Sequence, residues 1–264
     1  MKEKVKNLLV EIKNKKPLVH QITNYVTVND CANITLAIGG SPIMADDIEE
    51  VAEITSISNA LVINIGTLNV RTINSMLLAG QIANGKKIPV VLDPVGAGAS
   101  NLRNETTIKL LKEVKFAVIR GNASEIGFIL GVSNATKGVD VSEKDKNLDK
   151  IEVAKQVATK YNCVVVITGA IDVITDGNQV IQCENGNESM GNITGTGCML
   201  TALIGVCCGA TSNHLCGAVA GVLYMGIAGE NADKTNGTGS YRVNIIDTIS
   251  KLTENDIEKY GRIK

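Results

Sequence analysis

Short apolar runs of strand type recur along the chain, and almost every one is followed by a segment of helical periodicity. Residues 60–66, 88–93, 116–120 and 163–168 are rich in Val, Ile, Leu and Ala with little polar alternation. Strands buried between two layers read this way, because neither face meets water. Helices are predicted over 70–83 and near 106–112, from Gly121-Asn122-Ala123-Ser124-Glu125 onward, and again up to Tyr161. Such alternation confines the chain to a mainly parallel sheet covered by helices on both faces. The expected class is therefore α/β, a three-layer αβα sandwich. Neither a linker nor an internal repeat divides residues 1–264, which are read as one domain.

The ends of the chain add detail. Val5, Leu8, Leu9 and Ile12 share one face of a helix spanning 1–16. Residues 17–26 are β-rich but mixed with amides and hydroxyls, like a strand running into a functional loop. Asn29 or Asp30 can cap a helix through Cys31, Ile34, Leu36 and Ile38, which Gly39-Gly40 stops. Met44 is placed in the next loop, and Asp46, Asp47, Glu49 and Glu50 give the following helix an acidic start. Residues 133–149 are polar and charged and read as a surface loop. Asp176-Gly177-Asn178 joins two strands of a hairpin. Three helices close the chain, over 199–209, 215–232 and 243–251, the last extending toward Lys259.

Composition excludes several classes. A formal charge of −1 provides no basic face for nucleic acid, and the absence of Trp with only two Phe leaves few rings for stacking bases. The segment 1–16 lacks the uninterrupted apolar centre of a secretory signal. The uncharged stretch 215–229 is rich in Gly and Ala and falls short of the ~20 residues that cross a bilayer. Seven cysteines without a framework spacing indicate reduced thiols in a cytoplasm. With no CxxC pair and two histidines far apart, a structural zinc site is not expected. His20 reads as a hydrogen-bonded structural residue and His214 as a helix start.

The polar and glycine-rich residues collect where strands end: Gly66-Thr67, Asp93-Pro94, Arg120-Gly121-Asn122 and Thr168-Gly169. Ligands of parallel sheets bind beyond those ends. Ile193-Thr194-Gly195-Thr196-Gly197-Cys198 then leads straight into an apolar helix. Amides at a helix start lack partners, and bare glycines would let an anion reach them. Asp93 and Glu125 have the chemistry to hold Mg²⁺ together with phosphate oxygens; each also reads as a cap or a surface acid. Arg120 ends an apolar strand and needs an anion, a phosphate or a carboxylate. Thr168-Gly169 has a hydroxyl and a backbone to offer a nucleotide, and also reads as a plain turn. Asn24, Met44, Gly66 and Thr67 would line a small mixed pocket. Neither a Walker A nor a dinucleotide-binding glycine pattern is present.

Asn122-Ala123-Ser124-Glu125 resembles the N-x-x-E motif of the ribokinase-like superfamily, and Gly195-Thr196-Gly197-Cys198 resembles its anion-hole motif, normally Gly-Ala-Gly-Asp. His20-Gln21-Ile22-Thr23-Asn24-Tyr25-Val26, Asn33, Gly40-Ser41-Pro42-Ile43-Met44 and Leu92-Asp93-Pro94-Val95-Gly96-Ala97 narrow the likeness to the hydroxyethylthiazole kinase family of thiamine salvage. It runs from about residue 17 to 232. The resemblance implies transfer of the ATP γ-phosphate, with Mg²⁺, to the hydroxyl of 5-(2-hydroxyethyl)-4-methylthiazole. It also implies a homotrimer with sites at subunit interfaces. Asn24, Met44, Gly66 and Thr67 would line the thiazole pocket, completed by Gly195 and Cys198 from a neighbouring subunit. Asp93 and Glu125 would organise Mg²⁺, while Arg120, Asn122, Thr168 and Thr194 would contact ATP. Gly195, Thr196, Gly197 and Cys198 would be catalytic, with Cys198 either a weak base or a spectator. Rival readings are a pyrimidine kinase or a hydratase-repair enzyme on the same fold, a non-catalytic sensor, or a purely structural trimer.

Overall fold

The computed structural model describes residues 1–131 and 149–264. The polar loop expected over 133–149 lies outside the described residues, except for Asp149, which caps the helix that follows it. In chain order the elements are α1 (Lys2–Lys15), β1 (Leu18–Ile22), α2 (Val28–Ile38), β2 (Ser41–Ile43), α3 (Val51–Ile57), β3 (Ala60–Asn64), α4 (Val70–Gly85), β4 (Val90–Asp93), α5 (Asn101–Glu113), β5 (Val118–Asn122) and α6 (Ala123–Leu130). Then come α7 (Lys150–Tyr161), β6 (Val164–Thr168), β7 (Asp172–Thr175), β8 (Val180–Cys183), a short 3₁₀ helix (Glu188–Asn192), α8 (Thr196–Ala210), α9 (His214–Asn231), α10 (Thr238–Ser250) and α11 (Glu254–Tyr260).

The strands form one sheet in the order β2-β1-β3-β4-β5-β6-β7-β8. Neighbours from β2 through β6 pair in parallel, while β6–β7 and β7–β8 are antiparallel. Successive side chains of a strand face opposite ways, and here the two faces feed two separate cores. Ala60 and Val62 of β3, Val91 of β4, Val118 of β5 and Val164 and Val166 of β6 pack with α1, α2, α8, α9 and α10. Leu61 and Ile63, Val90 and Leu92, Ile119, Val165 and Ile167 pack with α4 to α7. Burying apolar side chains on both faces removes them from water at about 25 cal/mol per Å², which is why these strands need no polar face. No helix among the described residues is long and apolar enough to cross a membrane.

Three expectations are corrected. Met44 does lie in a loop, but the residues between Gly40 and Met44 form a short strand, β2, at the sheet edge, where Pro42 costs no ladder bond. The helix predicted to start within the acidic cluster begins only at Val51; Asp46 and Asp47 instead pair with Arg71 of α4. The last helix does not run on to Lys259. It ends at Ser250, and Thr253 opens α11 with a capping box to Asp256. His20 is the structural residue expected. Nε2 meets the Ala45 carbonyl at 2.7 Å and Nδ1 the Thr55 hydroxyl at 2.9 Å, and burial lowers its pKa.

Candidate active site

Strand parity assembles the site. The face of β3 that buries Ala60 and Val62 next presents Asn64. By the same count β4 presents Asp93, β5 presents Arg120 and β6 presents Thr168; Asn64, Asp93 and Thr168 are the last residues of their strands, while Arg120 stands two residues before the end of β5. Asn64 and Asp93 are register partners. Helix α8 crosses this face, and its first turn arrives over the four side chains. Thr201 of α8 donates to Asp93 Oδ2 at 2.8 Å. Gly195, the cap residue of α8, has φ +92°, and a Cβ there would lie 2.6 Å from Thr27 Cγ2. At Gly197 a Cβ would lie 2.6 Å from Arg120 Nη1. At Gly195 the positive φ and the Thr27 contact exclude a side chain, while at Gly197 a side chain would have to push the Arg120 guanidinium from its place. No side chain caps α8, so its leading amides face outward without a protein partner.

On one side of Cys198 lies a fully bonded pair of amides. Asn24 is 4% exposed and Asn64 only 1%. The Gly66 N–H donates to Asn64 Oδ1 at 2.9 Å, which fixes the orientation of that amide. Asn24 Nδ2 donates to the same oxygen at 3.0 Å. Asn64 Nδ2 then gives its two hydrogens to Asp93 Oδ2 at 3.0 Å and to Cys198 Sγ at 3.3 Å. Asn24 Nδ2 also donates to Cys198 Sγ at 3.3 Å, while Asn24 Oδ1 accepts from the Thr27 N–H and hydroxyl. The Thr67 hydroxyl receives the Tyr25 N–H at 3.3 Å, tying the loops after β1 and β3 together. Arg103 of α5 braces the same region, donating to the carbonyls of Ile65, Gly66 and Val95.

On the other side lies a cavity of about 570 Å³, walled in part by Arg120, Thr168, Gly169, Asp172, Thr196 and Gly197. Arg120 Nη2 donates to the Thr168 hydroxyl at 2.9 Å, but Nη1 stands 3.5 Å from both oxygens of Asp93, and the buried Nε has no partner. A guanidinium so incompletely paired at a cavity wall suits an incoming phosphate. Asp93 is wholly buried. Burial, reinforced by the nearby Glu125 charge and opposed by Arg120, pushes its pKa up to about 6. Burial does the same to Asp172, also to about 6, against one hydrogen bond from the Gly169 N–H.

Glu125 completes a capping box at α6: Oε2 accepts the Asn122 N–H, and Asn122 Oδ1 accepts the Glu125 N–H. Its Oε1 accepts from the Gly96 N–H at 2.8 Å. Each carboxylate oxygen keeps a further lone pair. Among the described residues no three His, Cys, Asp or Glu side chains converge closely enough to cage an ion. The pair Asp93 and Glu125, close enough for the Glu125 charge to raise the Asp93 pKa, fits Mg²⁺ as that ion is usually held, by one or two carboxylates with water and phosphate oxygens.

Of the residues singled out from the sequence, the structure brings together Asn24, Gly66, Thr67, Asp93, Arg120, Glu125, Thr168 and the 195–198 turn. Met44 follows β2, half-buried against the core that Cys198 also touches. Asn122 is occupied by its cap, and Thr194 is exposed outside the cavity wall. One expectation is corrected: Cys198 and Gly195 do not need a neighbouring subunit to reach Asn24 and Thr27. Because α8 packs on β3 and β4 of its own chain, both contacts form within one chain. Asn64, Thr201, Arg103 and Asp172 escaped the sequence reading. Parity along 60–64 is the signal that would have found Asn64.

A mainly parallel sheet between helical layers, with a glycine turn opening a helix over its C-terminal edge, defines a ribokinase-like αβα sandwich. Staphylococcus aureus pyridoxal kinase bound to AMP-PCP and pyridoxal shares that fold at TM-score 0.59 and 15% identity, over 84% of this chain and 90% of its own. The structure of hydroxyethylthiazole kinase from Pyrococcus horikoshii OT3 matches at TM-score 0.89 with 35% identity, over 98% of each chain. Hydroxyethylthiazole kinases from Clostridium beijerinckii and Ruminiclostridium cellulolyticum are 62% and 58% identical, over 99% of this chain and 97% of theirs. The model of the hydroxyethylthiazole kinase family matches residues 9–255, and the chain belongs to that family.

Proposed function

We propose that this chain, acting as one kinase unit, transfers the γ-phosphoryl group of ATP to the hydroxyl of 5-(2-hydroxyethyl)-4-methylthiazole, a step of thiamine salvage. The observation that carries the reading is the position of Cys198 and the uncapped start of α8. They sit between a cavity walled in part by Arg120 and Thr168 and the cluster of Asn24, Asn64 and Gly66. The cavity takes the nucleotide, with Arg120 and Thr168 on its phosphates. The alcohol lies on the Asn24–Gly66–Thr67 side. Asp93 and Glu125 would hold Mg²⁺, which when bound offsets phosphate charge.

The γ-phosphorus exchanges its bond to ADP for one to the alcohol oxygen. Phosphoryl transfer has a loose transition state with charge on the equatorial oxygens, so positioning and charge stabilisation supply most of the rate. The 196–198 amides face that charge without reorganising. The hydroxyl proton departs late, to water or to an oxygen of the transferred phosphoryl group, and needs little help. Cys198 already receives N–H bonds from Asn24 and Asn64 at 3.3 Å each. As a thiol it has both lone pairs engaged, which supports its reading as a positioned spectator.

A homotrimer belongs to the same proposal. Tyr25 is 79% exposed and Val70 76%, flanking the linked loops that carry Asn24 and Thr67. Apolar side chains so exposed beside a site suit a subunit contact. A coupled ADP-release assay tests the reaction. The thiazole alcohol should release ADP far faster than the pyrimidine alcohol of the same vitamin. Binding of either without ADP would favour the sensor instead.

A further inference from the structure

Asn64 has all four hydrogen-bonding positions of its amide filled, two accepted and two donated, and every partner belongs to the site. Oδ1 takes the Gly66 N–H and Asn24 Nδ2; Nδ2 serves Asp93 Oδ2 and Cys198 Sγ. The side chain is buried, and its neighbours come from four separate parts of the chain: the loop after β1, the loop after β3, the end of β4 and the first turn of α8. Arg120 reaches Asp93 but not the Asn24 side, and Thr201 likewise bonds only Asp93 among these groups.

We infer that Asn64 is a positioning residue for the transfer step: a single amide that locks the acceptor side, Asn24 and Gly66, in register with the phosphate side, Asp93 and Cys198. The inference rests on the kinase reading above. Its physical content is directional. Asn64→Asp keeps the shape and, through one oxygen, the bonds from Gly66 and Asn24. It replaces both donated hydrogens with lone pairs, one of them facing the Asp93 carboxylate at about the 3.0 Å now spanned by the hydrogen bond. The two halves of the site then separate although the walls remain. The walls of the nucleotide cavity contain neither Asn64 nor its direct partners, and Asp93, the one partner proposed to hold Mg²⁺, keeps its own carboxylate, so ATP affinity should be spared. An alcohol held out of register leaves room for water to take the phosphoryl group in its place.

The test compares wild type, Asn64→Asp and the smaller Asn64→Ser, each checked for folding by circular dichroism. For each, ADP and thiazole phosphate are quantified in the same reaction, and KM is measured for both substrates. The expected result is a kcat lowered by about 10-fold or more, with the ATP KM within about 3-fold of wild type. The ratio of ADP to thiazole phosphate should also rise above one. Asn64→Ser carries the test if Asn64→Asp does not fold. A folded variant with wild-type kcat and one ADP per thiazole phosphate would overturn the inference. So would a loss of rate in which the ATP KM rises in step and the ratio stays at one, since that describes general loosening. Absence of thiazole phosphate from the wild-type reaction would instead overturn the kinase reading, and the inference with it.

Discussion

At Cys198 the decisive fact is that the sulfur accepts two amide hydrogens. Such a seat suits an anion at least as well as a thiol. Cys198→Asp is therefore expected to keep or raise kcat, and Cys198→Ala to retain measurable turnover, both read by ADP release at saturating substrates. Near-complete loss in Cys198→Ala with normal affinities for both substrates would make the thiol an essential base. Arg120 contributes a charge and a fork. Arg120→Lys keeps the charge but loses the bond to Thr168 together with the bidentate reach. It should raise the ATP KM by about 10-fold or more, since bonds to charged groups contribute about 1.5–3 kcal/mol. Asp172 gives a pH signature. Its carboxyl moves from an ordinary 3.8 to about 6 on folding, so the native state holds a proton that the unfolded chain has released. Stability then falls as pH rises between those values, and the penalty is complete above them. Asp172→Asn keeps an acceptor for the Gly169 N–H and should stabilise the protein by about 1–3 kcal/mol above pH 6. Thermal melts should show that gain fading as pH drops toward 4.

Among the elements, α8 joins the core to the chemistry. Gly205 lies against β3, where a Cβ would come 2.4 Å from Val62 Cγ2. Gly205→Ala should cost about 1–3 kcal/mol through overpacking, measured by denaturant midpoint, and a melting temperature equal to wild type would contradict this packing. The central strands were legible because each is buried on both sides, and burial of that kind leaves an unbroken apolar run. Their exact ends were not. The run expected over 116–120 shifts to Val118–Asn122 because pairing extends Gly121 and Asn122 alongside Ile167 and Thr168. Strand β2 was hidden because three residues including Pro42 carry no periodicity. Thr253 with Asp256 was a readable cap, outweighed by the helical pattern running through it. Arg103 gave no warning: an arginine on a polar helix reads as solvated, and only the tertiary fold shows it gathering three carbonyls. Asn64 sat in plain view inside an apolar run, where strand parity alone directs it toward Asp93.

For the whole molecule, the two-layer core explains how residues separated by most of the chain converge. Parallel strands deliver their ends to one edge, and α8, late in sequence, closes over them. The proposed trimer belongs to this scale. Val70→Asp, at an exposed apolar position next to the Thr67 loop, should yield a smaller species in light scattering and a higher thiazole KM. An unchanged mass would place the interface elsewhere. The central claim is that the uncapped amides of 196–198, with Arg120 beside them, receive the phosphoryl group in flight. A crystal structure with a non-hydrolysable ATP analogue, Mg²⁺ and the thiazole alcohol tests it most directly. The account predicts the terminal phosphate against those amides, with the alcohol oxygen approaching from the Asn24 side. A terminal phosphate seated away from residues 195–198 would contradict it.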